Sequence, residues 1–316
     1  MNLRIKQIEE NLKNADQDMD ALKTIEEQTL LHQMFTSIVN KISETLPLIQ
    51  ELQQQVIDGE LYQWKHRQKQ HHMFGIEFNM NLDNIQQSCE FLSRALWMLR
   101  SNLIALIEKQ RYSSIYQMIM FKILKSTIDR NSSSPLMSRI TDLREIVSKL
   151  IQQLISSTFI VEEQPSAVVR KWYPLSAKIR LLFGSFFMQS AVVLVKLVNE
   201  EQAMEKLRNE QDQNNSNSGV ILHNEQRLEL NENGVLSALF SNMKIEKLKR
   251  SYGKSEHLPM FQMYYLLFEI KVKIKGEIEL NVWTLSFPFL IIVSVHQIPR
   301  ALGGIAWYNS SPTTVS

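Results

Sequence analysis

Five cations fall between positions 244 and 254: Lys244, Lys247, Lys249, Arg250 and Lys254, with Glu246 as the one acid among them. Clustered ammonium and guanidinium groups contact phosphates by releasing counterions, so this stretch is a candidate nucleic-acid contact. It also fits a solvated loop on a β domain, since such loops commonly carry charge as well as binding residues. His66, His71 and His72 suggest a metal, but no cysteine or carboxylate stands at ligand spacing, so the reading is solvated surface. Gly303-Gly304 is a lone doublet and signals a turn. There is no Gly-x-Ser-x-Gly, no phosphate-cradling glycine loop, no zinc spacing and no Cys-His pairing with a third member. The expectation is a protein that is not an enzyme and takes no cofactor and no metal.

The chain has 316 residues, room for about two domains. Its 35 Lys+Arg against 33 Asp+Glu exclude the strongly basic class, so only a local patch argues for nucleic acid. Cys89 is the single cysteine; no intrachain disulfide can form, which fits a reducing compartment. The N-terminus, MNLRIKQIEENL, is charged and amphipathic, unlike a signal peptide. The most apolar window, Trp283 to Val295, is 13 residues long and contains Pro288, too short to span a bilayer.

The elements that position these residues divide at Leu150 to Pro165, LIQQLISSTFIVEEQP. Before it the chain reads as long helices. Ile5, Ile8, Leu12, Ala15, Met19 and Leu22 form a 3-4-3-4-3 seam. A second helix is expected from about Glu26 to His71, with Leu31, Met34, Ile38 and Ile42, then Ile49, Leu52 and Val56, on its seam, and a bend at Pro47. The third carries Leu82, Ile85, Cys89, Leu92, Leu96, Leu99, Leu103 and Leu106, which makes Cys89 a small core hydrophobe, with Trp97 beside the seam. Tyr112 to Ile128 is apolar nearly all round and is open between a buried helix, an extension of the third helix and an insertion. After NSSSP, Ile140, Leu143, Val147, Leu150 and Leu154 give a fourth seam. Four such seams imply an elongated antiparallel four-helix bundle with a charged surface, either simply solvated or a docking face for partner helices.

Past Thr158 the period changes. Phe159, Ile160 and Val161 favour strand, and Pro165 closes the stretch. Strands are expected at Ser176–Leu182, Ala191–Val198, Arg227–Leu230, within Val235–Leu248, at Tyr264–Ile274 and at Phe289–Val295. Asn199–Asp212 is a loop or short helix, Gln213–Gly219 a polar loop and Lys249–Leu258 a basic loop. Together these imply an antiparallel sandwich or barrel, giving domains at 1–160 and 161–316.

Four stretches in this order resemble the STAT family (signal transducer and activator of transcription). IDGELYQWKHRQ (57–68) resembles the end of that family's second helix, and LISSTFIVEEQP (154–165) its exit from helix four. LNENGVLSALF (230–240) resembles its Asn-Gly turn and strand, and SFPFLIIVSVHQIPRALGGIAWYN (286–309) its Ser-Leu-Pro strand and Trp-Tyr-Asn helix. The resemblance implies a coiled-coil domain followed by an immunoglobulin-like DNA-binding β domain, incomplete at its C-terminus. It implies transcription regulation in JAK–STAT signalling, cytoplasmic and nuclear localisation, DNA and protein partners, and no membrane.

The resemblance also points to site residues. The family's Thr-Lys-Val loop aligns with His223, Asn224 and Glu225, so its lysine is replaced by Asn224; its Glu-Thr-Thr loop aligns with Trp283, Thr284 and Leu285. The expected DNA-binding residues are therefore His223, Asn224, Lys247, Lys249, Arg250, Lys254, Thr284 and Ser286. Relative to the family the chain starts inside helix one and stops before the helical linker, the SH2 domain and the tail tyrosine. Without SH2-mediated dimerisation DNA binding is expected to be weak. A second reading, a coiled-coil interaction module that does not bind DNA, stands beside the first.

Leu96 lies mid-seam, where Leu96→Asp buries an unpaired carboxylate at a cost of several kcal/mol, comparable with the stability of a whole domain. Its helical circular-dichroism signal and melting temperature are expected to collapse; an unchanged melt would place the seam elsewhere.

Overall fold

The computed structural model describes residues 30–79, 81–123, 135–184, 191–208, 217–232, 234–249, 262–275 and 278–310. The seam from Ile5 to Leu22, part of the NSSSP break and most of the basic loop, including Arg250 and Lys254, lie outside the described residues. Helices are followed by a mostly β region. Packing groups the chain into two units, one from Met1–Glu51 and Leu96–Lys149, the other from Leu52–Ala95 and Leu150–Ser316.

Helix α1 runs over 30–74 without a break at Pro47. Its buried residues are Phe35, Val39, Ile42 and Leu46, while Met34 and Ile38 are exposed. The expected seam holds at Ile42 and Val56 but was one position off at Met34 and Ile38, because LLHQMFTSIV carries two adjacent apolar stripes that both satisfy 3-4 spacing. Further along, Gln53, Val56, Leu61, Trp64 and Gln68 are buried. The step from Val56 to Leu61 is one residue too long for the pattern. The stretch Gln55–Leu61 takes up the extra residue as a π-helix, which returns Leu61 and Trp64 to the inward face. Gly75, left-handed at φ 67°, ends the helix with its N–H on the His71 carbonyl at 2.8 Å.

Helix α2 spans Asp83–Ile123, so the apolar segment after Tyr112 continues the third helix as far as Ile123. Helix α3 spans Pro135–Thr158. In the first unit, Leu96, Trp97, Leu103 and Leu106 are buried, as are Ile140 and Val147, and Arg139 donates to Asn40 at 3.2 Å.

In the second unit α1 and α3 run parallel: Gln53 donates to Leu150 O, Lys65 to Ser157 O, and Gln68 to Val161 O just beyond the helix. Helix α3 feeds directly into strand β1, Phe159–Glu163. Thr158, fully buried, turns its hydroxyl back to Leu154 O at 2.6 Å, and its own carbonyl accepts from Leu182 N at 3.0 Å. The weak helix formers Ser156 to Thr158 therefore mark the switch from helical to ladder hydrogen bonding.

The remaining strands are β2 Val168–Arg170, β3 Leu175–Leu181, β4 Ala191–Asn199, β5 Gly219–Leu222, β6 Glu225–Leu230, β7 Leu236–Leu248, β8 Met263–Ile274, β9 Ile278–Leu285 and β10 Phe289–Ile292. Strands β2, β5 and β9 were not expected from sequence. They pair in the order β1-β3-β7-β6-β4-β8-β10-β2, with β5 on β7 and β9 on β8. Strand β6 is the corner: residues 225–228 pair with β4, and 229–230 with β7. This curls the sheet so that its two halves face each other, and Phe240 of β7 meets Phe268 of β8 with ring centres 5.7 Å apart.

Two helices cover part of the outer face: α4, Glu200–Arg208, and α5, Ile298–Ser310. Ala203, Ala301 and Ile305 pack there with Tyr265, Leu267 and Leu290. Strand β8 records the consequence. Met263 to Phe268 are buried without alternation, since both faces are covered; beyond Ile270 buried Val272 and Ile274 alternate with exposed Lys271 and Lys273.

Where the helical base meets β1 and β3, the Arg180 side chain is 6% exposed. Its Nε donates to Gln86 Oε1 at 2.9 Å, its Nη1 meets Glu162 Oε1 at 3.1 Å, and Nη2 reaches Asp83 Oδ1 at 3.4 Å. Lys178 also holds Glu162, at 3.1 Å. Arg180→Ala leaves Glu162 half-compensated in the interior, and is expected to cost about 3 kcal/mol, the low end for a broken buried pair. Urea unfolding of the full chain measures it; a loss below about 1 kcal/mol would show the guanidinium to be dispensable.

Candidate nucleic-acid interface

The candidate surface is built on β7, whose register with β5 sets where each cation stands. Gly219 pairs with Leu248, Val220 with Lys247, and Leu222 with Lys244. Strand β5 fits only because it begins with glycine: a Cβ at Gly219 would lie 2.4 Å from Lys247 O and 2.9 Å from Leu197 Cδ2. Lys247 and Lys249 are exposed and Lys244 is half-buried. Lys249 is fixed by its backbone N–H on Ser218 O at 2.8 Å and by its ammonium on Asn217 Oδ1.

Beside this strand lies a turn that the sequence reading did not single out, Arg170-Lys171-Trp172-Tyr173. Tyr173 N closes it on Arg170 O at 3.2 Å, and Trp172, left-handed at φ 70°, donates its N–H to Ile245 O of β7 at 3.2 Å. Lys171 N is held by Ile292 O at 2.8 Å. The Arg170 guanidinium lies 4.0 Å over the Tyr173 ring, and the Lys171 ammonium 5.2 Å over Trp172. Trp172 is 52% and Tyr173 49% exposed. The signal was present as two cations followed by two aromatics. Only the backbone bond to Ile245 shows that the turn adjoins the β7 lysines.

The other expected residues stand elsewhere. His223 is exposed at the kink between β5 and β6, with φ 55°. Asn224 bridges inward, its amide donating to Val195 O at 3.1 Å while its own carbonyl accepts from Val195 N at 2.8 Å. Thr284 lies on β9, opposite Phe268. Ser286, expected at a DNA face, is 3% exposed; its hydroxyl accepts from Leu266 N and donates to Phe287 O, both at 2.9 Å. Its position is that of a β9–β10 fastener, because the extended residue after β9 would otherwise leave Leu266 N without an acceptor. Among the site residues, then, Lys247 shares β7 with Lys244, Lys249 follows just past its end, and this segment adjoins the 170–173 turn, whereas His223, Asn224, Thr284 and Ser286 do not join them there.

The residues weighed for metal or nucleophilic chemistry do not converge. Among the described residues no group of three His, Cys, Asp or Glu side chains could hold a metal ion. His66 faces Gln70, and His71 Nδ1 meets Ile76 O at 2.9 Å. Cys89 is fully buried, and burial, with help from Glu60 and Glu90, pushes its thiol up to about 12, far from the range of a reactive thiolate.

Two family models match the chain: "STAT protein, DNA binding domain" over residues 163–292 and "STAT transcription factor, coiled-coil domain" over residues 2–130. The chain is 26% identical over 309 residues to "Signal transducer and activator of transcription 1" of Caenorhabditis elegans, a match covering 89% of this chain and 42% of that relative. The chain thus spans less than half the length of the relative it matches. Both models are of STAT domains, and the chain belongs to the STAT family.

His72 supplies a pH test of how this unit is held together. Its ring packs on Phe287 at 5.4 Å, and its buried Nε2 has no hydrogen-bond partner. Burial first, then His71, lowers its pKa below the usual 6.5. The unfolded chain therefore takes up the proton first. The His72 contribution to stability is whole above about pH 6.5 and shrinks as the pH falls below that value, until the folded ring titrates too. His72→Phe is expected to flatten this acid limb in urea unfolding; an identical pH profile would refute the burial of a neutral ring.

Proposed function

We propose that this member of the STAT family acts as a transcription regulator that contacts duplex DNA through the β2–β3 turn and the end of β7, with the helical part as a docking surface for protein partners. The observation that carries the reading is the adjacency of Lys171 and the β7 lysines across the Trp172–Ile245 backbone bond. Lys171, Lys244, Lys247 and Lys249, held at one end of a curled sheet, match a phosphate backbone. Arg250 and Lys254 follow directly in sequence and add charge to the same segment. His223 and Thr284 remain candidates for further contacts from the kink and from β9. Asn224 has already committed its amide to Val195, which leaves its Oδ1 as acceptor. The two family models and the relative's name support the transcriptional role, and a cytoplasmic and nuclear localisation goes with that role.

A few phosphate contacts from one domain give weak, largely sequence-indifferent binding, in the range of roughly 10⁻⁴ to 10⁻⁶ M at physiological salt. Little preference is expected for a palindromic duplex over a scrambled one. Titration of both duplexes at several salt concentrations tests this. Changing Lys247→Ala and Lys249→Ala together is expected to reduce the slope of log affinity against log salt by about 0.9 for each lysine that meets a phosphate. No duplex binding even at low salt would leave the coiled-coil interaction module as the better reading.

A further inference from the structure

Phosphate contact accounts for the lysines but not for the two exposed aromatic rings between them. Trp172 occupies the third position of its turn with φ 70°, where an L-residue other than Asn or Asp is strained and glycine is usual. The turn holds its large side chain out with half its surface in water, although a glycine there would relieve the backbone. Tyr173 stands next to it, equally exposed, and each ring has one cation over one face.

We propose, building on the DNA-binding reading above, that Trp172 and Tyr173 form a stacking site for unpaired bases, so that the turn prefers single-stranded or locally opened nucleic acid to intact duplex. Three features of the turn fit that ligand. Each ring carries a cation over one face and keeps about half its surface in water, where a base can reach it, and the cation itself attracts the neighbouring phosphate. Every base has a π-face, so stacking needs no particular sequence. The backbone bonds of Lys171 to Ile292 and of Trp172 to Ile245 tie the turn to two strands, so little ordering entropy is lost when a base arrives. Intact duplex buries its base faces in its own stack and offers these rings only edges and sugars.

The test uses the full chain with three probes: a mixed-sequence single strand, its duplex, and the same duplex with a central unpaired bubble. Trp172→Gly removes the ring at a position whose backbone suits glycine, so the fold is kept, which a thermal melt verifies; Trp172→Phe keeps an aromatic face. The expected result is that Trp172→Gly weakens binding to the single strand and the bubble by about tenfold, the scale of one base–aromatic stack. The loss on intact duplex, whose phosphates are met by Lys171, Lys247 and Lys249, should be several times smaller than the loss on the single strand, and Trp172→Phe should retain most of the affinity for all three probes. An equal loss on all three probes, or no loss on any, overturns the stacking site while leaving duplex binding by the wild-type chain, and with it the proposed function, standing. A wild-type chain that binds none of the probes overturns both.

Discussion

A guanidinium taken out of water must find its counter-charges on whatever surrounds it, and Arg180 finds them on two kinds of element at once. Asp83 and Gln86 come from the first turn of α2, and Glu162 from β1. None of these partners can move far without stranding a buried charge, a far greater cost than a lost surface ion pair. The arrangement therefore fixes the start of a helix against the first strand of the sheet, and everything later in the β region is built outward from that strand. Gln68 extends the same fastening. Strand β1 pairs with β3 on one side only, and the Gln68 amide donates to the carbonyls of Val161 and Glu162 at 3.0 and 2.8 Å. Gln164 then links the Gln68 carbonyl to the backbone of Phe287.

With β1 anchored, the sheet can curl. The corner at β6 brings Phe240 and Phe268 together, and α4 and α5 seal the outer face over β8 and β10. The seal on α5 is partly polar: Tyr308 donates to Glu200 at 2.7 Å and meets the Tyr265 hydroxyl at 3.2 Å, and burial raises the phenol pKa values of both tyrosines. A sheet closed in this way is stiff, and its strand ends make a firm platform. The candidate interface uses that property. The 170–173 turn is short and bonded to β7 and β10 by its own backbone, so its cations and rings are presented without a long mobile loop.

The motifs that carried the family resemblance are explained by this architecture more than by DNA contact. In the first two stretches the informative residues are Gln68, Glu162 and Gln164, which hydrogen-bond to one another or to one another's backbone. In the last, Ser286 closes the β9–β10 connection and Tyr308 pins α5. Packing constraints leave sharp sequence signatures because a buried polar side chain must meet one partner at one distance. Phosphate contact leaves a blunt one, since any exposed cation of suitable reach will serve.

The sequence by itself determined the helix-to-strand switch at Thr158 with the strand β1 that follows it, the seam of the third helix with Cys89 as a core residue, and six further strands. Each of these is written in local periodicity or in a run of residues with one strong preference. Strands β2 and β5 were invisible because three or four residues are too few to show a period, and β9 because its alternation, IELNVWTL, runs into the apolar window that follows. The π-helical stretch was hidden because it breaks the period by a single residue. Tertiary structure alone decided that Ser286 faces inward, that Asn224 is spent on Val195, and that Arg170 to Tyr173 adjoins lysines more than seventy positions later. Those outcomes rest on which strand becomes whose neighbour, and strand pairing across the chain is set by burial and backbone hydrogen bonding summed over the whole sheet, which no local pattern of residues records.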